Sequence, residues 1–105
     1  MFRKKNKDLK TNYISKIYVK AGVFAADSIV DFVIVLSVTD KYNNAIYWSG
    51  REIVSSNYSV KNWIKEEHIF SLNQVILNPE NQYNIYIWNR NNTNIYIDDM
   101  VISFF

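Results

Sequence analysis

Residues 83–105, YNIYIWNRNNTNIYIDDMVISFF, decide how the rest of the chain is read. Two runs of Ile, Tyr, Trp and Val, each of strand length, flank the polar segment 89–94, a pattern that predicts an antiparallel hairpin with a longer loop. Side chains of a strand alternate between its faces, so Ile85 and Ile87 share one face while Tyr86 and Trp88 share the other. Both faces are apolar or aromatic. Such a strand belongs inside a sheet, with one side on a core and the other beneath a groove or a second layer.

Working outward, residues 29–39 carry the strongest strand pattern. Val30, Phe32, Ile34, Leu36 and Val38 form an uninterrupted apolar face, and Val33 and Val35 add apolar surface to the opposite one, which predicts a central strand. In residues 12–21, Ser15, Ile17, Val19 and Ala21 alternate with Lys16, Tyr18 and Lys20, as in a half-buried strand. Residues 22–28 read as a loop or bulge. TDKYNN, residues 39–44, is turn chemistry, because Asp and Asn bond to nearby backbone and tolerate left-handed conformations.

Residues 45–54 return as a strand through Ile46, Tyr47 and Trp48, with Gly50 as a bulge or a point of close approach. Residues 55–61 are polar and loop-like. In residues 63–72, Ile64, Glu66, His68, Phe70 and Leu72 alternate without a helix cap, which predicts a strand, with Trp63 and Phe70 packed in the core. Residues 75–77 make a short extended piece, and Asn78-Pro79-Glu80-Asn81 a turn. About six or seven short strands without an amphipathic helix argue for an all-β sandwich. Its expected core is Ile17, Val19, Phe32, Ile34, Leu36, Phe70, Ile85 and Ile87.

Composition narrows the function classes. With 105 residues, 49% apolar and 21% charged, the chain has the balance of one globular domain. Residues 12–105 form that domain, and residues 1–11 a basic linker or flank. Much of the net charge of +2 lies in the opening MFRKKNKDLK. The remainder shows no basic stripe, so no nucleic-acid partner is expected. The absence of cysteine removes disulfides, thiolate metal sites and thiol nucleophiles. The apolar run 29–38 contains Asp31 and Ser37 and is too short for a membrane-spanning helix. MFRKK is followed by NKDLKTN, not by the apolar core of a signal peptide.

No catalytic constellation stands out. His68 is a single histidine beside Glu66 and Glu67 and reads as a surface or hydrogen-bonded residue, not a ligand. No serine sits in a nucleophile elbow, no carboxylate pair is aimed across a cleft, and no glycine-rich phosphate loop is present. The expectation is a protein that is not an enzyme. Asp98-Asp99 is the most demanding polar pair. In a regular strand one of the two faces inward, unless a bulge turns both to the rim. A buried carboxylate needs backbone donors, an arginine such as Arg90, or a cation held by oxygens. Hydrogen bonding is the expected solution and a calcium site the alternative. The aromatics offer a second theme. Tyr86 and Trp88, with Tyr18, are candidate platforms for sugar rings, and Asn84, Asn89 and Arg90 are their polar partners.

In order along the chain, YISKIYVKAG, the long apolar strand, Trp63 followed by Phe70-Ser71-Leu72, YIWN and YIDDMVI resemble the carbohydrate-binding-module type of β-jelly roll. These are the galactose-binding-like sandwiches appended to bacterial surface and secreted enzymes. The likeness covers about Tyr13 to Phe104, and its sharp part is YIWN and YIDD. It implies an antiparallel β-sandwich of jelly-roll type, a ligand groove on the concave sheet and a structural calcium near the chain ends, held in part by Asp98 or Asp99. The basic opening FRKKNKDLK departs from the acidic first strand of that pattern. The resulting expectation is a non-catalytic accessory module that binds poly- or oligosaccharide, extracytoplasmic or at the cell surface, within a larger polypeptide. The alternative is a structural or protein-contact sandwich of a larger surface or membrane-anchored protein.

Overall fold

The computed structural model describes residues 2–5, 16–72, 80–90, 92 and 94–105. The expectations for residues 12–15 and 73–79 lie outside these. Among the described residues the chain is all-β, with seven strands: β1 (Phe2–Lys5), β2 (Lys16–Ala25), β3 (Val30–Thr39), β4 (Ala45–Ser55), β5 (Trp63–Ser71), β6 (Gln82–Asn89) and β7 (Ile95–Phe104). A four-stranded sheet has the order β1-β6-β3-β4 and a three-stranded sheet the order β5-β2-β7. Every neighbouring pair is antiparallel.

The pairing is nested, as in a jelly roll. β3 pairs with β4, β2 with β5 and β1 with β6, and the nested pairs fall alternately in the two sheets. That is what rolling one long antiparallel ribbon into two layers produces. Phe2–Lys5, expected within a flank, forms β1 at the edge of the larger sheet.

The expected hairpin between the two halves of residues 83–105 does not form. β6 pairs with β1 and β3, whereas β7 pairs with β2 in the opposite sheet, so β6 and β7 lie in different layers. Alternation and a polar break mark two strands equally well when the chain changes sheet. Residues 22–25 are likewise not a loop but the second half of β2, paired with β5 on one side and β7 on the other. The bulge lies in β7 instead, where the register slips opposite Ala21.

The turn at residues 39–44 closes the β3–β4 hairpin by the expected chemistry. Asp40 Oδ1 accepts the N–H groups of Tyr42 and Asn44, each at 2.9 Å, and Asn43 takes φ 66°. These two bonds hold the Asp40 carboxyl below its ordinary pKa.

The core lies between the sheets in two clusters. Ile17, Val19, Ile34, Leu36, Val38, Phe70, Tyr83 and Ile85 form the larger one, and Val23, Ala25, Val30 and Phe32 the smaller. Ile53 and Ile87 pack against both. Seven of the eight expected core residues are fully enclosed and Ile87 is partly so. Trp63 is not core. It starts β5 on the outer face and is 56% exposed.

Candidate functional site

The outer face of the four-stranded sheet gathers most of the aromatic residues singled out in β6. In register, three rows cross β6, β3 and β4 in turn: Trp88, Val33 and Glu52; Tyr86, Val35 and Gly50; and Asn84, Ser37 and Trp48. Val33 and Val35 point away from the sandwich core, yet neither has any surface exposed to solvent. They need a cover, and the groups beside them are the rings of Tyr86, Trp88 and Trp48.

Gly50 makes room for one of those rings. A β-carbon there would lie 2.8 Å from Trp48 Cη2 and 2.7 Å from Val33 Cγ1, so the indole reaches back over the bare α-carbon. Trp48 and Trp88 remain 52% and 49% exposed. The face is therefore an apolar floor framed by half-open rings.

Its polar end is built on Arg90. Nε donates to Asp31 Oδ1 at 2.7 Å and Nη1 to Glu52 Oε1 at 2.8 Å, while the guanidinium lies 5.6 Å from the Trp88 ring centroid. The bond to Glu52, then that to Asp31, raises the guanidinium above its ordinary pKa. An arginine held by two carboxylates and stacked on an indole fixes that ring's orientation and keeps carboxylate oxygens at the rim of the face.

Asn84 reaches the same face but is buried. Its Nδ2 donates to the Ser37 carbonyl oxygen at 3.2 Å and its Oδ1 accepts from Gln82 Nε2 at 3.2 Å, so its amide serves the sheet. Asn89 has the opposite parity, beside Phe32. Tyr18 lies on the outer face of the other sheet, where its hydroxyl donates to Glu67, and that bond, with desolvation, raises its pKa. The structure thus brings Tyr86, Trp88, Asn84 and Arg90 together and leaves Tyr18 and Asn89 apart from them.

Trp48 was not among the expected site residues, and Gly50, expected as a bulge or a point of close approach, is such a point. Their signal was the spacing Trp-Ser-Gly, which puts an indole and an absent side chain two residues apart on one face of a strand.

The aspartate pair resolves differently from a regular strand. Asp99 has φ 53° and sits in the bulge of β7, so Ile97 and Met100 both keep the inner parity and Asp98 and Asp99 are both exposed. Asp98 Oδ1 accepts the N–H of Asp99 at 2.8 Å. The inward carboxylate therefore does not exist, and Arg90 does not serve this pair. Among the described residues no group of three or more His, Cys, Asp or Glu side chains converges as a metal site.

Comparison of the chain with protein-family models, with curated proteins and with solved structures gave no match. No helix among the described residues is long and apolar enough to cross a membrane.

Proposed function

We propose that this protein is a non-catalytic module that binds carbohydrate through the outer face of its four-stranded sheet. The observation that carries the reading is the group Trp48, Tyr86 and Trp88 set about Val33, Val35 and Gly50, with both indoles half-open. The C–H faces of a pyranose stack on such rings, and the oxygens of Asp31 and Glu52 at the Arg90 end are acceptors for its hydroxyls. In this reading the domain is an accessory part of a larger polypeptide working outside the cytoplasm, and it needs no cofactor.

The test is a glycan array together with affinity electrophoresis on soluble and insoluble polysaccharides. Binding that Trp88→Ala abolishes, with an unchanged far-ultraviolet circular dichroism spectrum, is the expected result. Absence of binding to every polysaccharide at millimolar ligand overturns it. A contact face for another protein is the second reading, favoured by the same exposed tryptophans, since large apolar patches also mark protein interfaces. Concentration-dependent self-association that Trp88→Ala removes, without glycan binding, would favour it.

A further inference from the structure

The outer face of the three-stranded sheet repeats the device of a tryptophan laid against a glycine. In register, Trp63 of β5 and Tyr96 of β7 flank Phe24 of β2. Their ring centroids lie 5.4 and 6.1 Å from that of Phe24, inclined at 49° and 59° to it. The next row is Lys65, Gly22 and Asp98. Gly22 leaves this row without a central side chain, and a β-carbon there would stand 3.4 Å from Trp63 Cε3 and 3.3 Å from the Asp98 carbonyl oxygen. Gly22 and Gly50 are the only two glycines of the chain, and each lies under an exposed tryptophan on opposite outer faces.

Beside the Trp63 indole the gap opens into a hollow of about 250 Å³, floored by Gly22 and bordered by Lys20, Lys65 and Asp99. Among the described residues neither lysine has an ion-pair partner. The β7 bulge, with Asp99 at φ 53°, sets the Asp99 carboxylate at the rim, while Asp98 is the register partner of Gly22.

Cross-strand aromatic pairing is the plain alternative for these rings, since such pairs stabilise a sheet by covering one another. Trp63 and Tyr96 nevertheless remain 56% and 59% exposed. Pairing accounts for their contact with Phe24 but not for a hollow lined by unpaired charges of both signs.

We infer that this hollow is a second sugar-binding site, which takes a neutral hexopyranose unit on the Trp63 ring. The ring's C–H face meets the indole, the Asp99 carboxylate accepts its hydroxyls, and Lys65, in the row of Gly22, donates to its oxygens. The Asp99 carboxylate needs hydroxyl donors, which an uncharged ring supplies and a uronate carboxylate would oppose. With platforms on both outer faces, one domain bridges two glycan strands. The inference shares its ligand class with the proposed function but none of its residues.

The three tryptophans of the chain, Trp48, Trp63 and Trp88, give indole N–H signals that report the two faces separately. The experiment is a nitrogen-15 correlation titration of the protein with the methyl glycosides of glucose, galactose and mannose, and with methyl glucuronoside. Saturable shifts of the Trp63 indole and the Gly22 amide with a neutral glycoside are expected. Lys65→Met and Trp63→Ala should abolish them while any response of Trp48 and Trp88 remains. Lys65 is exposed, so its variant keeps the test valid if Trp63→Ala disturbs the fold. A silent Trp63 beside a responding Trp88 overturns the second site alone. A responding Trp63 beside silent Trp48 and Trp88 supports it and counts against the first face. Silence of all three overturns both, and a Trp63 response confined to the glucuronoside overturns the assignment to a neutral sugar.

Discussion

The indole of Trp48 occupies the space above the α-carbon of Gly50, so that Cη2 would lie only 2.8 Å from a β-carbon at that position. The second neighbour of that β-carbon, Val33 Cγ1 at 2.7 Å, belongs to a fully buried side chain in the central strand and has nowhere to move. Gly50→Ala therefore overpacks the face. The expected cost is about 1–3 kcal/mol, offset in part by about 0.4–1 kcal/mol from the stiffer unfolded chain. A urea midpoint measures the balance. Adding Trp48→Ala should recover some of the loss in a double-mutant cycle, and strict additivity would show that the two groups do not compete for this space.

A different outcome is expected at Tyr83. Its ring is fully buried in the larger cluster, but its hydroxyl has no hydrogen-bond partner among the described residues, and burial pushes its pKa up. An unsatisfied buried polar group costs about 1–3 kcal/mol. Tyr83→Phe should thus be neutral or stabilising by about 1 kcal/mol, an unusual direction for a core substitution. A destabilised variant in chemical denaturation would mean that the hydroxyl has a partner.

The core of this sandwich was legible because it rests on a period of two. Val30, Phe32, Ile34, Leu36 and Val38 could face only one layer, and that layer is the interior. Connectivity was less legible. The alternation of β6 and β7 has the same form whether the chain turns back or crosses to the other sheet, and the partner strands that decide between these lie far away in sequence. Trp63 shows the corresponding limit for the site. Its parity in β5, opposite to that of Phe70, already turns it outward, but nothing in that strand reveals Gly22 on the neighbouring strand, against which the indole lies.

The β7 bulge makes a backbone prediction. Asp99 holds φ 53°, which glycine adopts at no steric cost and a β-branched residue adopts badly. Asp99→Gly should leave stability nearly unchanged, whereas Asp99→Val should lower it by about 1–3 kcal/mol. Asp98→Ala removes the bond to the Asp99 N–H and should cost less than Asp99→Val. Thermal melts with calcium and with chelator are expected to coincide. A rise of several degrees with calcium would show that the two carboxylates bind the ion after all.

The single histidine gives a pH dependence whose sign is fixed by its surroundings. His68 has the inner parity of β5, with its ring edge-on to Phe70 at 4.6 Å. Burial first, and then the charge of Arg51, hold its pKa below the ordinary 6.5. Between the depressed folded value and 6.5 the unfolded chain therefore binds more protons, so stability rises with pH across that window. The contribution is complete above 6.5 and is lost as pH falls through the folded pKa. Glu66, also of inner parity, works in the opposite sense. Burial raises its carboxyl above 4.5, with Arg51 partly opposing, so its contribution is complete below 4.5 and is lost as pH rises through the folded value. His68→Gln should flatten the upper rise and Glu66→Gln the lower fall, each in urea midpoints followed against pH. A proton titration of the imidazole provides the direct check, and a pKa at or above 6.5 would place the ring in water, away from Arg51.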